Sequence, residues 1–409
     1  MLLRLLKTLL RPAHARGATA PQATTPQATA GGANPLDRRQ ATLALVREAR
    51  RLQYARDFDG AGALLESALA GHAAMSEGRE RATLLIELAL CRLRRNRLAE
   101  AARVLEAAGL ADPGHPLLEK LSQFPSLLSE SLQLSRLALP PMSPVAAGPH
   151  RPVSALYFFL ETPTTTEEGR AGYFGLMRQS IASLKSVVPG ARAMLLTDRT
   201  TRVPDDAGFD AVLRQDLDAR ALVHSRLLAL ARALGEPPLE GDLVLLDPDT
   251  VVARDFRDLY RAPFDLGFTL RSDFAETVMD HEPFNVGVIF VRGDGVRRAR
   301  GFFALCVRCF EEVERCAAVR RFYGEGLKAW RGDQVLPAVV IGRGMYLEQV
   351  LSRRTNRLEI EGCAVGFVES RLYNSSGNES SGVLELPYIL HYKGEHKWRA
   401  APEHRGAAA

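Results

Sequence analysis

GDLVLLDPDTVVARDFRDLY, residues 241 to 260, contains in Leu243 to Leu246 an unbroken aliphatic run of the kind that forms a buried central strand. Such a strand delivers the residues after it to the carboxyl edge of a sheet, where open α/β folds bind their ligands. In this chain those residues are Asp247-Pro248-Asp249. Two carboxylates one residue apart at a strand end offer hard oxygen ligands to magnesium or manganese, which take diphosphate oxygens as further partners. Acidic turns are common, so the triplet gains its weight from its place directly after a buried strand.

Around this run, strand and helix patterns alternate. ALYFFLE (155 to 161) and RAMLLTDR (192 to 199) are short apolar runs, and YFGLMRQSIASLKSVVP between them has the periodicity of an amphipathic helix ending at proline. ALVHSRLLALARALG (221 to 235) is a further helix with Gly235 as its stop. The alternation indicates an α/β domain whose mostly parallel sheet carries helices on both faces.

The first part of the chain has another character. Residues 36 to 124 read as helices with no strand signal, and RDFDGAGALLESAL matches NRLAEAARVLEAAG at an offset of forty positions. Phe58 falls on Leu98, Ala61 on Ala101 and Leu65 on Leu105, so small residues allow close helix approach while leucines fill the seam. The pattern resembles tetratricopeptide repeats and admits two readings, a platform for a protein partner or a packing domain without one. Residues 125 to 152 hold six prolines and form a linker, the α/β domain takes 153 to 398, and 399 to 409 are a tail.

Residues 1 to 35 comprise a leucine-rich start and a flexible tether of Ala, Thr, Gly, Pro and Gln. Arg4 and Lys7 interrupt the leucines, and the run is far shorter than the roughly 20 residues of a membrane span. Residues 1 to 16 read either as a short interfacial helix or as a disordered start. The expected placement is cytoplasmic, with peripheral contact at the inner membrane of a bacterial cell through those residues.

Composition sets outer limits. The 409 residues are 46% apolar and 25% charged, the balance of a folded protein. A net charge of +5 suits a phosphorylated ligand and does not by itself indicate nucleic acid. Five scattered cysteines argue for a reducing compartment, and the close pair Cys306 and Cys309 sits in an apolar helical segment where burial competes with any metal or redox role. Asn374 and Asn378 head Asn-x-Ser triplets, which matter as glycan acceptors only in a secreted protein.

Asp247-Pro248-Asp249, then FNVGVIFV (284 to 291), then GDQ (332 to 334), then HYKGEHKW (391 to 398) occur in an order that resembles the nucleotide-sugar glycosyltransferases of the GT-A fold, most closely the glycogenin-like family 8. The likeness covers roughly residues 153 to 398. It implies a GT-A-like domain behind the helical region, a nucleotide-diphosphate sugar donor of the UDP type, manganese or magnesium, and transfer with retention to a glycan, lipid-linked or protein acceptor. It implies Asp247, Asp249 and His391 as metal ligands, Asp247 also lying near the donor ribose. Gly394 and Lys397 would approach and neutralise the diphosphate, and Arg226 would meet the nucleotide or its sugar. Asn285 would bond sugar hydroxyls, Gly287 would leave room for the sugar ring, and Asp333 and Gln334 would stand at the donor sugar. A uridine-type base is implied near Tyr157 to Thr162.

Read residue by residue, several of these positions carry alternatives. Asp333 also suits a helix cap after Gly332, Arg226 a solvated helix position, and His391 a hydrogen-bonded core histidine. Were transfer inverting, a carboxylate base would be needed, and Asp273, Glu276 and Asp280 lie in a suitable loop. Two other classes remain, a sugar nucleotidyltransferase, which would carry a glycine-rich loop where ETPTTTEEGRAGYF stands, and a non-catalytic scaffold.

Overall fold

The computed structural model describes residues 35–55, 57–71, 78–95, 97–122, 149–270, 283–315, 332–343, 356–375 and 386–392. They fall into two compact units, one within residues 1–92 and 103–115 and the other within 93–102 and 116–409.

The described residues up to 111 are helical. α1 (Pro35–Tyr54), α2 (Phe58–Gly71), α3 (Arg79–Arg94) and α4 (Leu98–Ala111) come in succession, and the bounds of α2 and α4 differ by the same forty positions as the sequence match. Ala61 and Leu65 of α2 are fully buried, as are Ala101 and Leu105 at the matching positions of α4. Val46, Ala49, Leu84 and Leu88 join the α2 residues in one apolar cluster. Glu87 is buried and held by Arg50 at 2.8 Å.

The second unit, after the short α5 (Leu118–Ser122), is built on β1 (Val153–Phe158), α6 (Glu167–Val187), β2 (Arg192–Asp198), β3 (Ala211–Gln215), α7 (Leu222–Ala233), β4 (Asp242–Leu246), β5 (Thr250–Val252), β6 (Leu266–Leu270), β7 (Phe284–Val291), α8 (Val296–Glu314), α9 (Gly332–Arg343), β8 (Arg357–Ile360), β9 (Cys363–Glu369), α10 (Ser370–Tyr373) and β10 (Ile389–His391). The main sheet has the order β3-β2-β1-β4-β7-β6-β9-β8. β3, β2, β1, β4, β6 and β9 run one way, while β7 and β8 run against their neighbours. The expected mostly parallel α/β sheet is present, with β7 as an antiparallel strand at its centre.

Helices cover both faces. α6 starts at Thr166, whose side chain accepts from Gly169 N, and places Phe174, Met177, Ile181 and Leu184 at helical spacing against Tyr157, Leu195 and Val244 of the sheet. On the other face Phe302 of α8 meets Phe268 of β6 at 5.7 Å between ring centres. α7 ends as its sequence indicates, with Gly235 at φ 84° directly after the last helical carbonyls. β3 is a strand that the apolar patterning does not predict. Its residues alternate between half-buried and exposed, so the edge strand lacks the continuous apolar signal of β4.

Among the described residues no helix is long and apolar enough to cross a membrane. Residues 1 to 16, with the expected membrane contact, lie outside the described residues, as do most of the proline-rich linker and the tail.

Candidate metal and donor site

β4 and β7 pair with Leu246 opposite Val288, so Asp247 emerges beside Gly287 and its backbone N–H donates to the Gly287 carbonyl at 2.8 Å. Between its Phe268 and Thr269 partners on β6, β7 shifts register, and Val286 to Val288 bulge away from β6. The bulge contains Gly287, whose carbonyl holds Asp247 N at the end of β4. Past Asp249 the chain forms β5, which pairs antiparallel with β10 and sets Thr250 opposite His391. Tyr392 N donates to the Asp249 carbonyl at 2.9 Å, closing the same corner.

These pairings bring one ligand atom each from Asp247, Asp249 and His391 within 4.8 Å of one another. His391 Nε2 lies 3.1 Å from Asp249 Oδ1 and 3.8 Å from Asp247 Oδ2. Two carboxylate oxygens and one imidazole nitrogen suit a divalent cation such as manganese or magnesium, and three protein ligands leave coordination positions for other groups. The donor set therefore fits the ion that the resemblance implied.

His391 is also the buried, hydrogen-bonded histidine of the plainer reading. It is 5% exposed, and its Nδ1 lies 2.8 Å from Asn374 Oδ1. Its ring occupies the space beside Gly287, where an added Cβ would collide with His391 Cε1 and Nδ1 and stand 3.1 Å from Asp247 Oδ2. The glycine is needed because two side chains of the acid and histidine cluster press against its backbone.

Arg226 is not solvated. Its side chain is 15% exposed and bridges two acids, donating to Asp333 Oδ2 at 2.8 Å and Asp247 Oδ1 at 3.0 Å, with a third bond to the Val286 carbonyl at 3.1 Å. Burial works against its charge, but Asp247 and Asp333 outweigh that, so Arg226 stays cationic. Asp333 lies in the first turn of α9 and is buried. Burial pushes its carboxyl up to about 6 in spite of Arg226, and the nearby Asp247 adds to the rise. Asp333 Oδ1 has no hydrogen-bond partner among the described residues. A buried acceptor in that condition is costly unless a ligand donates to it.

Gln334 comes next on the same turn, half-buried. Asn285 is buried, and its carboxamide oxygen accepts from Gly287 N at 3.1 Å. Gly394 and Lys397 lie outside the described residues, as do Asp273, Glu276, Asp280 and Asn378.

No protein-family model matches the sequence, and no curated protein matches it by sequence. Among solved structures, the fold is similar to the glycosyltransferase GlyE of Streptococcus pneumoniae TIGR4, with 15% identity over 60% of this chain and 55% of that one at a TM-score of 0.35. This chain thus spans little more than half the length of GlyE. It is similar to an active-site mutant of LgtC, with 13% identity over 63% of this chain and 91% of that one at a TM-score of 0.37. Mouse xyloside xylosyltransferase 1 shares 12% identity over 60% of this chain and 98% of its own at a TM-score of 0.34. At these values the site rests on its own residues.

Three features of the site have no signal in the sequence. Tyr157 is fully buried and belongs to the core rather than to a base pocket, leaving half-buried Phe158, Glu161 and Thr162 as the accessible part of that stretch. Its hydroxyl starts a buried chain, Tyr157 to Ser180 at 2.8 Å, Ser180 to Thr250 at 3.0 Å and Thr250 to the Asp247 carbonyl at 2.9 Å. Since the carbonyl only accepts, the Thr250 hydroxyl donates to it, and each hydroxyl upstream donates to the next. Asn374 is the third feature, 1% exposed and therefore no glycan acceptor as placed. Cys306 and Cys309 are buried, and burial pushes the Cys306 thiol well up, which suits packing rather than reactivity.

Proposed function

We propose that this chain is a glycosyltransferase that moves a sugar from a nucleotide-diphosphate donor of the UDP type to a glycan, lipid-linked or protein acceptor. The observation that carries the reading is the convergence of Asp247, Asp249 and His391 at the carboxyl end of β4, beside a buried acid with an unfilled acceptor oxygen. Asp247, Asp249 and His391 would hold manganese or magnesium, which when bound neutralises the donor diphosphate and stabilises it as a leaving group.

The other residues act around that point. Arg226 fixes the Asp247 and Asp333 carboxylates relative to each other, so the metal side and the sugar side of the site keep one spacing. Asp333 Oδ1 accepts a donor-sugar hydroxyl and the Asn285 NH2 donates to another, with Gln334 on the same turn as Asp333. Lys397, with Gly394 giving close backbone approach, meets the diphosphate as negative charge builds on it, an interaction stronger in the transition state than before it. Retention at the anomeric carbon follows from the likeness to family 8. The helical unit serves as a surface for a protein partner, and residues 1 to 16 as a peripheral membrane contact in a cytoplasmic enzyme.

Calorimetric titration with UDP, and with GDP and CDP as competitors, tests the donor site. UDP should bind in manganese, bind much more weakly in EDTA, and fail to show metal-dependent binding to Asp249→Ala. Tight binding indifferent to metal, or no binding of any nucleotide, would refute the reading in favour of a scaffold.

A further inference from the structure

Asn374 closes α10 and belongs to none of the motifs that point to the donor site. Its carboxamide nevertheless sits at the centre of a buried network that joins β6, β7 and β10. Nδ2 lies 2.7 Å from Thr269 Oγ1 and 2.9 Å from the Asn285 carbonyl, and Oδ1 lies 2.8 Å from His391 Nδ1.

Counting hydrogens settles which way the amide faces. Thr269 has one hydroxyl hydrogen, and it goes to the Asn285 carbonyl at 2.6 Å, since a carbonyl only accepts. Thr269 Oγ1 is then left to accept from Asn374, and the Asn285 carbonyl accepts as well. Both neighbours on that side require the NH2 group, so Oδ1 must face His391. An amide oxygen can only accept, so Nδ1 of His391 carries the hydrogen. A neutral imidazole has one N–H, and Nε2 therefore turns a bare lone pair toward Asp249 and Asp247. In that neutral form Nε2 presents a lone pair rather than a hydrogen on the side of the two carboxylates, as ligation of a cation requires.

Resting on the donor-site reading above, we infer that Asn374 is a positioning residue that holds His391 in its Nδ1–H tautomer, so that Asp247, Asp249 and His391 are assembled for a divalent cation before one binds. Backbone bonds support the same placement. His391 N donates to the Ser375 carbonyl at 2.7 Å, and Ser375 N donates to the Ile389 carbonyl at 3.0 Å, so residue 374 and β10 are tied in fixed register. The same amide also bonds the Asn285 carbonyl, and so links the metal ligand to the strand that carries the Asn-x-Gly segment.

The test uses the full chain with 15N-labelled histidine and manganese as the probe, and His391→Gln assigns the His391 resonances by their loss. In metal-free wild type, at a pH high enough that the imidazole is neutral, the long-range 15N spectrum of His391 should show protonated Nδ1 and unprotonated Nε2, and the opposite pattern would overturn the inference directly. Asn374→Ala should lose that preference and bind manganese, measured by electron paramagnetic resonance, about 10- to 100-fold more weakly. Asn374→Asp keeps an acceptor for Nδ1–H and should retain both tautomer and affinity, even if less stable. Wild-type affinity and tautomer in a folded Asn374→Ala would mean that the residue only packs. Undiminished manganese binding in both His391→Gln and Asp249→Ala would sink the donor-site reading itself, and this inference with it.

Discussion

The imidazole of His391 fills the volume that a side chain at position 287 would need, with Gly287 pressed between that ring and Asp247 Oδ2. Space for the third ligand is therefore set by a missing methyl group on β7. Gly287→Ala should push His391 away from Asp249, weaken manganese binding at least tenfold, and cost about 1–3 kcal/mol through overpacking. Manganese titration alongside urea denaturation would check both. Unchanged affinity with lowered stability would show that His391 can shift without leaving the cluster.

Burial pushes the Asp333 carboxyl up to about 6 in the folded chain, so it holds its proton to a higher pH than in the unfolded chain. A group whose folded value exceeds its unfolded value, near about 3.9 for Asp, favours folding below that lower value and loses the contribution as pH rises through the higher one. Asp333→Asn keeps an oxygen for Arg226 but does not titrate. In EDTA, the stability of the native chain relative to Asp333→Asn should fall by up to about 3 kcal/mol from about pH 4 to about pH 7.5. Urea midpoints across that range give the answer, and parallel pH profiles would rule the buried neutral acid out.

The hydroxyl chain from Tyr157 to the Asp247 carbonyl predicts an order of effects. Tyr157→Phe removes the first donor and should cost about 1 kcal/mol. Ser180→Ala strands the buried Tyr157 hydroxyl and takes a donor from Thr250, and should cost more, about 1–3 kcal/mol. Thermal unfolding of the two variants decides, and a larger loss in Tyr157→Phe would contradict the chain running through Ser180.

Divalent metal that binds the folded chain alone must stabilise it. At a free manganese concentration a hundredfold above its Kd, the gain should be about 2.7 kcal/mol. The rise in Tm should vanish in Asp247→Ala and in His391→Gln, and differential scanning calorimetry with and without EDTA measures it. An equal rise in both variants would place the metal elsewhere.

Much of the fold is legible from short stretches of chain. The aliphatic run Leu243 to Leu246 announces a central strand because continuous apolarity is a local property, and the two acids after it have to reach the sheet edge. The forty-residue offset in the helical unit recurs in the bounds of α2 and α4 for the same reason. β3 escapes such a reading because an edge strand with one face in solvent has no such run.

The site is legible only in part. Asp247 and Asp249 share one turn, so their partnership is written in three consecutive residues. Arg226 and Asp333 lie on separate helices, and each suits a surface role equally well until burial places them 2.8 Å apart. Asn374 offers only an Asn-x-Ser triplet, a signal for a different chemistry.

The periodicity and spacing of the chain are enough to specify a mostly parallel α/β sheet, its central strand and a pair of carboxylates at that strand's end. The pairing of β5 with β10, the bulge in β7 and the burial of Asn374 bring His391 to those carboxylates and decide which of its nitrogens faces them. Strand register and desolvation arise between segments far apart in the chain, and no pattern within one segment encodes them.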